Sequence, residues 1–237
     1  MRKATAGAFC AFYLCVGHAG AVELTGGSID LGYSAFTDDT DVSRTALRGQ
    51  AELGFNRHFG LQLDLGSYNF DAQDETGTNV SLHGTFHLNE TTSFGAFYTR
   101  DDIGSGDADF FGVEAGFDFS NAVGAEVYFS TGDDDGVDGD VFGFDLAYNV
   151  NDQIALNAGF DRASFDLGAD LTRLSVGVEY QTPGFANYYA EFGNVDANLM
   201  GLGGSESYIG LGVRLDFGAD RGATFGQRGL LDILPGG

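Results

Sequence analysis

The ten residues Tyr208-Ile209-Gly210-Leu211-Gly212-Val213-Arg214-Leu215-Asp216-Phe217 decide the fold. Ile209, Leu211, Val213, Leu215 and Phe217 share one parity; Gly210, Gly212, Arg214 and Asp216 share the other. Side chains alternate sides along a strand, so this stretch has one apolar face and one face of glycine and charge. Coiled as a helix it would mix Arg214 and Asp216 into its apolar stripe. A soluble sandwich would turn the apolar face inward. A membrane barrel turns it to lipid and gives the charges to the lumen.

Working back from this stretch, the same alternation recurs along the chain. Ile29, Leu31 and Tyr33 alternate with Asp30, and Leu47, Ala51, Leu53 and Phe55 oppose Arg44, Arg48, Gln50 and Glu52. Leu61, Leu63 and Leu65 oppose Gln62 and Asp64; Val80, Leu82 and Phe86 oppose Ser81, His83, Thr85 and His87. Glu114 and Asp118, then Glu126, Asp145, Asp161, Glu179 and Glu191, fall mid-strand on the polar parity of later segments. The pattern predicts twelve strands with two kinds of connection. Short turns centre on Asn56, Asn89, Asn121, Asn151 and Pro183, and longer, mostly Asp- and Gly-rich loops span about 37–41, 71–77, 101–109, 132–139, 163–170 and 195–206. The expected fold is all-β: a transmembrane antiparallel up-and-down β-barrel of about twelve strands over residues 22–217.

Composition agrees. Gly 38 and Phe 22 against Pro 2 and Trp 0 suit a curved, aromatic-rich sheet. A formal charge of −24 repels phosphate backbones and argues against a nucleic-acid partner. Arg2 and Lys3, the mainly small and apolar run 4–17, and Ala19-Gly20-Ala21 have the form of an export signal cleaved near Val22. Cleavage would remove Cys10, Cys15 and the only lysine, leaving no thiol chemistry. After Val22 there is no run of 18 or more apolar residues, which excludes a helical membrane protein and leaves a barrel open.

The export signal, the meander and the aromatic-ended strand Tyr208–Phe217 resemble the porin-like outer-membrane β-barrels of Gram-negative bacteria. The resemblance covers about 22–217. It implies a place in the outer membrane among its lipids, and passive passage of ions and small hydrophilic solutes without a cofactor. It also implies recognition of the last strand by the barrel-assembly machinery. Phe217 matches the terminal aromatic of that family, but residues 218–237 follow it. That segment carries Arg221, Phe225, Arg228 and Leu230-Leu231-Asp232-Ile233-Leu234-Pro235, and reads as a periplasmic tail or as a plug, because exposed leucines are usually covered. The oligomeric state stays open.

The expected pore lining is Arg44, Arg48, Arg214, Glu52, Asp64, Glu114, Asp118, Glu126, Asp145 and Asp161. Closure of the barrel would gather Arg44, Arg48 and Arg214 near the seam, opposite the acids of strands six to nine. Such walls make a transverse field that sorts solutes by charge, as at porin constrictions, and the acidic excess favours cations. The alternative is a lumen closed by those same ion pairs: a structural or adhesive barrel whose acidic loops bind divalent ions or a partner. Asp133, Asp135 and Asp138 resemble a calcium loop only in part, since Gly136 falls where a ligand is needed, and a solvated acidic tip is the preferred reading. His83 and His87 are four apart on a strand, about 13 Å, too far to share a metal. Arg100-Asp101-Asp102 reads as a solvated rim. No nucleophile–base motif is present, so an enzyme is not expected.

Overall fold

The computed structural model describes residues 22–72, 75–166, 168–184, 186–199, 202–218 and 223–235; the expected export signal lies outside them. Twelve strands are formed: β1 (Glu23–Phe36), β2 (Ser43–Gly54), β3 (Phe59–Phe70), β4 (Glu75–Asn89), β5 (Thr92–Ile103), β6 (Gly106–Ser120), β7 (Val123–Asp134), β8 (Val137–Asn151), β9 (Ile154–Phe165), β10 (Ala169–Gln181), β11 (Ala186–Leu199) and β12 (Leu202–Phe217). Each pairs antiparallel with its chain neighbours, and β1 closes on β12 into a barrel. At the seam Asp30 stands opposite Arg214 on one side and Arg48 on the other.

The predicted parity is the observed one. Leu31, Leu65, Val113, Leu174 and Leu211 are each 50% or more exposed, although they belong to the most regular parts of the sheet. Glu52, Gln62, Asp64 and His83, one residue out of phase with their apolar neighbours, are fully buried inside. A fold that shows its leucines and hides its carboxylates is inverted with respect to water. It is stable only when lipid surrounds the apolar belt.

One end of the barrel carries the expected short turns, and the other departs from expectation. At the short-turn end, Asn56, Asn89 and Asn151 fold back so that each side-chain oxygen accepts backbone N–H groups two or three residues on. At the third of these turns it is the Ser120 hydroxyl, not Asn121, that accepts from the Ala122 and Val123 amides. At the other end most of the expected long loops are strands. The sheet pairing runs through Asp102, Asp107, Asp133 and Asp138, and the β7–β8 hairpin closes on Asp135 (φ 50) and Gly136 (φ 79). Both residues at positive φ mark a primed turn that suits the sheet's twist. Acidic composition signalled solvent there, but solvent contact does not end a strand. Strands of 12–16 residues exceed the roughly 9–11 that a bilayer needs, so the hairpins project beyond it.

Candidate functional site

Inward side chains turn the lumen into a charged interior with a sign pattern. On the seam side, Arg48 donates to Asp30 at 2.6 and 2.9 Å, and the Tyr189 hydroxyl donates to the same carboxylate at 3.1 Å. Arg214 pairs with Glu179 at 2.9 Å and Asp216 at 3.0 Å. Arg173 pairs with Asp161 at 2.7 Å, which also accepts from the Tyr128 hydroxyl at 2.6 Å. Arg44 points inward and is buried beside the Tyr68 ring. Asp64, on β3 beside β2, and Glu114, on β6, hold His83 between them at 3.1 and 2.7 Å, and Glu126 stands on β7, across the barrel from the seam.

Of the residues expected to line a pore, all ten stand on the lumen parity. Arg44, Arg48 and Arg214 stand on strands at or beside the seam, and Asp145 and Asp161 face a cavity shared with Arg48 and Arg214. Asp118 lies at the short-turn mouth and is exposed. Asp30 and Arg173, on the polar parity but not among those ten, also face the lumen, and sequence reasoning missed Asp101. Asp101 is the clearest correction: it is buried inside, and the solvated triplet is split, with Arg100 facing Asp102, Asp107 and Asp109 on the outside. Strand alternation separates Arg100 from Asp101, so composition misled where parity did not. Asp133 and Asp138 face each other across the β7–β8 hairpin, and among the described residues no group of three or more His, Cys, Asp or Glu is disposed to hold a metal.

The lumen also holds residues 223–235. Thr224 donates its amide and hydroxyl to Glu52. Phe225 exchanges two hydrogen bonds with the Gln62 amide, at 2.7 and 3.1 Å. Arg228 is buried, donating to Glu114 at 3.0 Å and to Glu126, with its guanidinium over the Tyr128 ring at 4.1 Å. The Arg228 carbonyl accepts from Asn79, Ser81 and Thr99. A single helical turn, α1 (Leu230–Ile233), follows, and Asp101 accepts from the Leu230 amide at 2.6 Å. Asp232 then meets Arg48 at 2.7 Å, and Arg173 donates to its carbonyl at 3.0 Å. Burial alone would raise the Asp232 carboxyl; Arg48, Arg173 and Arg44 outweigh it and hold it below the usual carboxylate range.

Two apolar clusters inside the barrel are completed by this segment. Phe97, Phe110, Tyr128, Val141 and Ala163 surround Ile233, and Ala46, Tyr68 and Phe70 surround Leu231. These lie toward the long-hairpin half. At the short-turn half a polar cavity of about 680 Å³ remains, lined in part by Asp118, Glu126, Asn157, Glu179 and Arg214. A second of about 290 Å³ lies against Asp30, Arg48, Arg173 and Asp232.

A closed twelve-strand barrel with an apolar outer belt and a charged lumen has the architecture of a transmembrane β-barrel. Solved structures agree on the fold. The chain is similar to the KdgM porin in complex with disordered oligogalacturonate (14% identity, TM-score 0.65, 80% of this chain and 99% of that one). It is similar to the NanC porin (12% identity, TM-score 0.60, 80% and 98%) and to the CymD monoaromatic hydrocarbon channel (10% identity, TM-score 0.53, 83% and 88%). No protein-family model and no curated protein matches the chain.

Proposed function

We propose that the protein is a diffusion channel for ions and small hydrophilic solutes, cation-preferring when open, and not an enzyme. The observation that carries this is the inverted interior. Arg44, Arg48, Arg173 and Arg214 are outnumbered on the inward face by carboxylates, and these border a polar cavity of about 680 Å³. Apolar residues would fill a purely structural barrel at lower desolvation cost; fixed charges beside open volume suit passage of hydrated solutes. The acidic surplus lowers the energy of cations in the bore and raises that of anions. Oligogalacturonate, named with the KdgM neighbour, is an anion, so an acidic lumen argues for a different solute here. His83 is clamped between two carboxylates, and His87, whose ring lies 2.8 Å from the Ser93 hydroxyl and 3.4 Å from Glu52, reads as a lumen hydrogen-bonding group.

The test is a reversal potential. Refolded chain lacking residues 219–237 is placed in a planar bilayer under a salt gradient. The expected potential has the sign of cation selectivity. Anion selectivity would overturn the charge reading, and a folded barrel that never conducts would overturn the channel.

A further inference from the structure

We propose that the lumen is the binding site for the chain's own C-terminal peptide, residues 223–235, and that docking of this peptide closes the bore. The inference rests on the channel reading only for its second half.

The first support is charge placement. Arg228 and Asp232 are four residues apart, and each lies against the wall of opposite sign: Arg228 on Glu114 and Glu126, Asp232 on Arg48. A peptide with the two charges exchanged would meet like charge at both ends, so the walls select an orientation as well as a ligand. The second is the backbone. Gln62 reads both the N–H and the C=O of Phe225, and Asn79, Ser81 and Thr99 converge on the Arg228 carbonyl. Strand side chains thus satisfy peptide groups that would otherwise be buried without partners. The third is fit. A Cβ at Gly95 would meet Phe225 at 2.7 Å and Glu114 at 2.5 Å. Gly229 has φ +140, and a Cβ there would meet Asn79 at 2.5 Å and Asp101 at 2.7 Å. Space has been left on both sides of the contact. The ligand class is therefore a peptide ending in one helical turn, with an arginine four residues before an aspartate, an aromatic three residues before that arginine, and leucine or isoleucine around the aspartate.

Closure follows from position. Leu231 and Ile233 complete apolar clusters in the long-hairpin half of the lumen, where hydrated ions lose most by entering.

The experiment compares the full chain with the chain lacking 219–237 in planar bilayers, then adds synthetic peptide 223–237 to the short-turn side. A fluorescent copy of the peptide reports binding to the truncated barrel in micelles. Expected are a closed full-length protein, a conducting truncated one, and block by the peptide but not by a peptide carrying Arg228→Asp and Asp232→Arg. Equal conductance of both chains, or equal block by the charge-exchanged peptide, would overturn the proposal. If neither chain conducts but the native peptide alone binds, the binding site stands and the channel reading falls. Gly229→Val keeps the chain whole and serves where truncation prevents folding; it should conduct, and its staying closed would count against the proposal.

Discussion

Arg228→Ala is expected to open the full-length barrel. In the docked state the Arg228 side chain is 3% exposed and neutralises Glu114 and Glu126, while its guanidinium lies 4.1 Å from the Tyr128 ring centroid. Truncation leaves these carboxylates facing a docked peptide that offers them no cation. In the undocked state they face water, so the penalty falls on docking alone. Breaking a buried pair by removing one partner costs about 3–5 kcal/mol. At about 1.4 kcal/mol per decade, the ratio of docked to undocked chains drops on the order of a hundred- to several-thousand-fold. The assay is the open fraction of single channels, with heat-modifiable migration as the control for folding. A double cycle sharpens it: in a Glu114→Gln, Glu126→Gln background the same truncation should have much less effect, because no carboxylate is left unpaired. A folded Arg228→Ala protein as closed as the parent, or equal effects in both backgrounds, would refute the reasoning.

Docking should also weaken in acid. The Asp232 carboxyl is held below its ordinary range when docked, so its contribution is present above the pKa of the free peptide and is lost as pH falls through the docked value. Open probability rising at the acid end in the parent but flat in Asp232→Asn would agree; a parent insensitive to acid would not. In the chain lacking 219–237, Arg48→Glu and Arg214→Glu each replace an inward cation by an anion and should move the reversal potential further toward cations; movement the other way would contradict their lumen placement. Leu211→Arg puts a charge on the lipid face, where Leu211 is 56% exposed, and should lower barrel stability by about 2–4 kcal/mol in denaturant-dependent refolding into bilayers. An effect near zero would mean that this position lies outside the membrane.

Much of the barrel could be read from the chain because strand parity is local. Each residue's side is fixed by its neighbours two positions away, so Arg44, Glu52, Asp64 and Glu114 could be assigned to the lumen before any pairing was known. Loops were harder. Asp107, Asp133 and Asp138 announce water, and water contacts paired strands above the membrane as readily as it contacts irregular chain. The docked segment left a trace that parity alone does not interpret. Phe97 beside Tyr98, and Phe110 beside Phe111, put large apolar groups on both faces of one strand. A strand apolar on both faces is covered on both, and here the inward cover is Leu230 and Ile233.

The sequence by itself determined the strand count, the closed meander, the membrane-facing belt and the sign of the lumen charge, since all of these follow from period, spacing and residue type. Only the tertiary structure decided which charges meet. Asp30 finds Arg48, Arg173 finds Asp161, and Arg228 and Asp232 find walls that lie more than a hundred residues away along the chain. Barrel closure and the return of the chain into its own bore bring those groups together, and no local pattern encodes such a return. A leucine-rich tail has the same sequence whether it hangs in the periplasm or fills the lumen, and what differs is the surface available to cover it.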